Sequence, residues 1–262
     1  MIFVLFSIVF GLIVGSGLTA LIPRLAADEP WHRGRSHCPR CRHTLAPRDL
    51  MPLVSFFVNR GRCRHCQGAI GWFYPGVELA TAALFVIALV VRSGGDLTPL
   101  DAADSRLWLT IFRDWLAIAV LLALFGIDLI AQVLPDAITL PAVGVFFIWN
   151  LALGESPGGL TAGALFGACF FLLQYLVSRG AWIGGGDIRL GALLGALVGW
   201  PGILLALFSS YLLGASVGLG QIAVGSKSWK SRVPFGTYLA AGGLFTLFLG
   251  EKVIAWYLGK IL

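Results

Sequence analysis

The chain has 262 residues, of which 58% are hydrophobic and 12% charged, with 34 glycines and a mean hydropathy of +0.86. A soluble chain carries about 25% charged residues. Half that charge cannot cover a water-facing surface, which argues against a soluble enzyme, a disordered chain and a secreted disulfide scaffold. Nineteen Lys and Arg stand against thirteen Asp and Glu. Residues 23–75 hold nine arginines against Asp28, Glu29 and Asp49, which accounts for the whole net charge of +6.

A membrane span needs about 20 mostly apolar residues. In chain order, spans are predicted near 2–22, 77–92, 107–126, 137–153, 160–178, 189–200, 202–223 and 235–258, with a tight turn at Trp200-Pro201-Gly202 between the sixth and seventh. The expected fold is an all-α polytopic membrane protein of about eight transmembrane helices. It divides into a first helix (1–22), a cytosolic arginine-rich insertion (23–75) and a transmembrane body (76–262). No basic residue precedes the first span and a positive flank begins after it at Arg24, so a retained helix with an outside amino terminus is expected. Threading from there puts 23–75, 127–136, 179–188 and 224–234 inside, with Arg179, Lys227, Lys230 and Arg232. The loop 93–106, with Asp96, Asp101 and Asp104 against Arg106, falls outside, as do 154–159 and the turn at 201. The basic insertion then lies beside anionic lipid. Nucleic acid is not an expected partner, because no wider basic surface accompanies it.

Within the insertion, Cys38-Pro39-Arg40-Cys41 and Cys63-Arg64-His65-Cys66 form two pairs. A two-residue spacer lets one turn present both sulfurs to a single ion, and two such turns complete a four-thiolate zinc site. Two disulfides are the alternative, but they seldom persist on the reducing side of a membrane. His37, His43 and His65 could each replace a sulfur, although such histidines are more often solvated. A segment of this size has little core of its own, so the zinc would be structural and supply folding energy. Cys169, inside a predicted span, is expected to be a small packing residue.

Acids beside apolar spans are costly and are functional candidates. Three stand out on the inner face: Asp128 after the third span, Asp136 opening the fourth, and Asp187 closing Gly184-Gly185-Gly186 before the sixth. A helix cap is the plain reading of Asp136. Three glycines before Asp187 are more than a cap requires, and Asp128 ends a helix where the dipole opposes its charge. Two carboxyls at one depth can share a proton, one activating water while the other polarises a carbonyl. The competing reading is a proton-coupled transporter, whose acids would lie nearer the midplane.

With these residues in view, the chain resembles the bacterial prepilin peptidases, the type 4 leader peptidase family. The resemblance runs through Gly11-Leu12-Ile13-Val14-Gly15-Ser16, the paired cysteines, Gly61-Arg62-Cys63-Arg64-His65-Cys66, and Tyr74-Pro75-Gly76-Val77-Glu78-Leu79. It continues through Ile127-Asp128 with Leu134-Pro135-Asp136, Thr139-Leu140-Pro141, and the glycine–any–glycine–aspartate signature in Gly184-Gly185-Gly186-Asp187-Ile188-Arg189-Leu190. It implies Asp128 and Asp187 as the catalytic pair, with Asp136 in support. It also implies cleavage of the short basic leader of a type IV prepilin or pseudopilin at the cytosolic face of the inner membrane. Many members also methylate the new amino terminus with S-adenosylmethionine. The chain departs from the family at Leu50-Met51-Pro52, where an asparagine is usual, at Ile183 for methionine and at Arg189 for lysine. The first departure removes an amide from a region that the resemblance associates with methyl transfer, so weak or absent methylation is expected.

Overall fold

The computed structural model describes residues 1–30, 34–95, 104–225 and 233–261. The expected outside acids Asp96 and Asp101 and the basic cluster Lys227, Lys230 and Arg232 lie outside the described residues. Among those described, regular structure is helical: α1 (Ile2–Ala26), α2 (Val54–Val58), α3 (Phe73–Arg92), α4 (Ser105–Ala131), α5 (Asp136–Ala152), α6 (Pro157–Ser178), α7 (Gly185–Ala223) and α8 (Phe235–Ile261). Six of them, α1, α3, α4, α6, α7 and α8, are long and apolar enough to cross a membrane; α5 is apolar but has 17 residues.

The predicted sixth and seventh spans are the two arms of the 39-residue α7. Its backbone leaves helical geometry at Gly199 (φ 62°, ψ −169°) and Trp200, just before Pro201. A positive φ is open to glycine at little cost, and proline cannot supply the next helical N–H. The arms double back: a Cβ on Gly167 of α6 would meet both the Gly191 backbone in the first arm and Ile203 in the second. Eight predicted segments therefore occur as six long helices, one of them doubled, and one short one.

The chain forms two compact units, Met1–Ala123 and Leu124–Leu262, and the divide falls within α4. In the first unit α1 lies against α3 through Gly11 and Gly15. A Cβ at these positions would sit 2.6 Å from Ala82 Cα and 2.7 Å from Glu78 Cα, so only a small-xxx-small face permits this approach. The core continues with Phe85 stacked on Trp115 (centroids 5.0 Å apart), whose indole N–H donates to the Phe85 carbonyl. Asp114, fully buried, accepts from Arg92 and Arg113, each at 2.7 Å. An acid inside an apolar run survives when it is paired.

In the second unit α6 and α7 meet backbone to backbone, Gly163 against Gly195 and Gly167 against Gly191. The buried face of α6 is Leu160, Gly163, Gly167 and Phe171. Cys169 falls on the opposite face and is exposed, which corrects its expected packing role. The break in α7 has its own partner. Pro201 leaves the Leu197 carbonyl without the usual amide four residues on, and the buried Asn150 amide donates to that carbonyl and to Ala196, both at 2.9 Å. Asn150→Leu is expected to destabilise the protein by about 1–3 kcal/mol for each carbonyl left unpaired. A lower unfolding midpoint in detergent checks it.

Candidate active site and metal centre

The two acids singled out from the glycine run and the span edge come together in the second unit. Both are buried, at 5% and 7% exposure for Asp128 and Asp187, and the charge of Asp128 acts on Asp187. Each is held at a helix amino terminus. Asp187 occupies the first turn of α7, and its Oδ2 accepts from the Gly184 N–H at 3.0 Å. Asp128 lies inside α4, three residues before its end, since the helix runs on to Ala131. Its Oδ2 accepts from the Thr237 N–H at 2.8 Å, with the Gly236 N–H on the same carboxyl. The unfavourable end of its own helix is thus offset by the favourable end of α8.

Asp136 is the first residue of α5 and forms an ion pair with Arg189, at 59% and 32% side-chain exposure. Arg189 Nε also donates to the Gly185 carbonyl at 3.3 Å. The pair thereby ties the start of α5 to the glycine run. Within that run only Gly186 is sterically committed: a Cβ there would sit 2.8 Å from Leu134 Cβ. At Gly184 and Gly185 the nearest atoms stand at 3.8 and 3.7 Å, an ordinary contact distance.

Sequence reasoning missed the roles of three residues. Gly236 is the first: a Cβ on it would meet Asp128 Cγ and Oδ2 at 2.9 Å. No local signal marks it, because its partner is more than a hundred positions away in the chain. Gly236→Ala is expected to keep the fold, since a carboxyl can swing aside. It should cost about ten- to a hundredfold in turnover by displacing that carboxyl, as measured by initial rates at saturating substrate. Asp114 is the second, and Glu78, present in the motif Tyr74-Pro75-Gly76-Val77-Glu78-Leu79, is given no role of its own by that reading. Both are buried acids within apolar helices, legible had every acid in a span been weighed rather than those at one edge.

In the first unit the four cysteines converge, with all four sulfurs within 4.8 Å of one another. The two turns are built alike. The Cys38 N–H donates to the His43 carbonyl and the Arg42 N–H to Cys38; the Cys63 N–H donates to Gly68 and the Gln67 N–H to Cys63. Arg42 and Gln67 take positive φ, 59° and 54°, which closes each turn. Tetrahedral zinc with bonds of about 2.3 Å would place its sulfurs about 3.8 Å apart; Cys38 and Cys66 stand at 3.9 Å. All four are free thiols, so the disulfide alternative is not what the geometry shows. Burial raises the Cys38 thiol, but the Cys41 and Arg40 N–H groups and neighbouring sulfurs outweigh it and bring it to about 7. The His43 N–H favours the Cys41 thiolate, yet burial and the crowding sulfurs raise that thiol to about 11. Sulfurs so placed cannot all ionise without a cation between them, and a divalent metal fits. His43 and His65 lie against each other with ring centroids 3.4 Å apart and planes tilted by 32°, and both remain exposed.

Comparison with known proteins gives two family matches. Residues 9–92 match the bacterial peptidase A24 N-terminal domain, and residues 115–219 match the type IV leader peptidase family. The prepilin leader peptidase/N-methyltransferase of Aeromonas salmonicida (strain A449) is 38% identical over 233 residues, 87% of this chain and 76% of its own. That of Aeromonas hydrophila is 34% identical over 98% of this chain and 95% of its own. The Bacillus subtilis (strain 168) protein of the same name is 30% identical over 95% and 96%. No solved structure matches the chain.

Proposed function

Because the chain belongs to the type IV leader peptidase family and is a multi-pass bacterial membrane protein, we propose that it is an aspartic endopeptidase. Its substrate is a type IV prepilin or pseudopilin, whose short basic leader it removes at the cytosolic face of the inner membrane. The observation that carries this reading is the pair Asp128 and Asp187, both buried in one unit and brought together around Leu134, which packs against Gly186 beside one and Gly236 beside the other.

The pair holds one proton between its carboxyls. The ionised partner takes a proton from water as the water oxygen attacks the scissile carbonyl carbon. The protonated partner donates its hydrogen bond, then its proton, to the carbonyl oxygen. Collapse of the tetrahedral gem-diol breaks the C–N bond: the leaving nitrogen takes a proton from the acid formed in the first step, and one hydroxyl, becoming the new carbonyl, returns its proton to the other carboxylate, which restores the pair. The helix amino termini behind both carboxyls preorganise them and cost no rearrangement during reaction.

The substrate is itself an apolar helix, so it reaches the site laterally through the bilayer. Its scissile bond must unwind locally, because a helical carbonyl is already hydrogen-bonded. Gly184 and Gly185, which carry no side chains, let that extended backbone approach Asp187 closely. The basic residues of 23–75 support a cytosolic placement of the cysteine centre. The centre holds a structural zinc through Cys38, Cys41, Cys63 and Cys66, and S-adenosylmethionine supplies the methyl group for a second activity on the new amino terminus. An assay of the purified protein with a prepilin, following leader removal and N-methylation separately, tests both halves. Neither product, with solute or proton movement in sealed vesicles instead, would overturn the peptidase reading in favour of a transporter.

A further inference from the structure

The second arm of α7 carries a polar pair on an otherwise apolar flank. The Tyr211 hydroxyl donates to Gln174 Oε1 of α6 at 2.9 Å. Tyr211 is 37% exposed and Gln174 is half-buried. Around them Leu173, Val177, Phe208 and Leu212 are each more than half exposed. Both helices are long and apolar enough to cross a membrane, so this flank meets lipid. Polar groups at such a place are costly and mark function.

The pair stands beside the aspartates. The Tyr211 ring lies against Phe235, with centroids 4.9 Å apart. Phe235 directly precedes the Gly236 and Thr237 amides that hold Asp128. On its other side Phe235 meets Phe171, at 6.0 Å between centroids, and the Phe171 ring packs on Gly191, one turn beyond Asp187. Asp187 is near enough for its charge to act on the Tyr211 hydroxyl. Joining α6 to α7 is the plain use of such a bond. Those helices, however, already meet backbone to backbone at Gly163 and Gly167.

We propose that Tyr211 and Gln174 receive the unwound backbone of the substrate helix. The inference rests on the peptidase reading above and adds to it the groups that hold the substrate in place. Opening a helix around the scissile bond frees amide N–H and carbonyl groups, and hydrocarbon offers them no partner. A carboxamide carries an acceptor and a donor side by side, the complement of one peptide unit. In the free enzyme the pair satisfies itself. When substrate arrives, the Tyr211 hydroxyl turns from Gln174 to a substrate carbonyl. The released Gln174 Oε1 accepts a substrate N–H, and its Nε2 donates to a second carbonyl. Neither side chain exchanges a proton in the reaction; both hold the extended strand beside the aspartates.

Two substitutions together separate this role from a structural one. Tyr211→Phe keeps the ring on Phe235 and removes the hydroxyl, while Gln174→Leu keeps the approximate volume and removes the carboxamide. With full-length prepilin in detergent, the double variant is expected to raise KM about tenfold, through the loss of hydrogen bonds from both residues, with kcat largely kept. A role confined to joining α6 and α7 would instead lower the unfolding temperature and leave KM in place. A KM raised less than about threefold, or a loss confined to kcat, overturns the proposal. Failure of the wild-type protein to cleave prepilin overturns the peptidase reading itself, which keeps the two failures distinct. Should the double variant unfold, Tyr211→p-benzoylphenylalanine in an Asp187→Asn background decides by ultraviolet cross-linking. Adducts on the prepilin residues that flank the scissile bond support the docking, and any other pattern, including none, overturns it.

Discussion

Asp128→Asn and Asp187→Asn are each expected to lower leader cleavage by about 10²–10⁴-fold while the protein remains folded and inserted. An asparagine at either position keeps an oxygen for the amide it now serves, Thr237 N–H in one case and Gly184 N–H in the other, so the helix starts remain capped. What it cannot do is take or give a proton. Loss of either member removes the division of labour between base and acid, and the two single variants should therefore resemble each other and the double variant. Asp136→Asn makes the informative contrast. Its ion pair with Arg189 is partly exposed and contributes at most about 1 kcal/mol, so measurable cleavage should persist. Rates of prepilin processing by the purified variants check all three, and near wild-type cleavage by either of the first two removes the dyad from the mechanism.

The second large effect concerns the metal. One zinc per chain is expected on elemental analysis, and Cys38→Ser or Cys63→Ser, which replace the two buried ligands, should abolish it. Apparent binding energies of structural zinc are about 10–16 kcal/mol in small modules. The first unit's loops are therefore expected to lose most of their order when the ion is removed. Among the described residues of that segment, regular structure is limited to one short helix, one 3₁₀ turn and two isolated bridges. Hydrogen exchange on chelation should rise first in residues 34–71, while the amides around Asp128 and Asp187 stay protected. A metal-replete preparation without zinc, its thiols oxidised in pairs, would refute the site.

The sequence made some of this architecture legible and hid the rest for identifiable reasons. Long apolar runs reveal helices because each must be about 20 residues to span a bilayer. The Trp200-Pro201 punctuation reveals the doubling of α7, because proline and glycine act locally. Spacing exposed the cysteine centre for the same reason, each pair being closed within one turn. Asp187 announced itself through its glycines. What stayed hidden is held by contacts between distant segments: Gly236 beneath Asp128, Asn150 on the Leu197 carbonyl, Leu53 on Glu78. Composition says nothing about which helix end will face a given carboxyl. Asp114 was hidden differently, since its charge is offset by Arg92 and its immediate neighbour Arg113.

The donors that hold Asp128 come from residues 236 and 237, and 109 positions separate the carboxyl from Thr237. Both aspartates leave the ribosome well before that helix does. Until α8 has been made and inserted, Asp128 has no positive end to lean on, and the nascent chain carries its two acids without a working site. The surroundings of this carboxyl are therefore assembled late, only after more than a hundred further residues have joined the chain. Chains released before residue 235 would carry both aspartates but lack the two amides that hold Asp128.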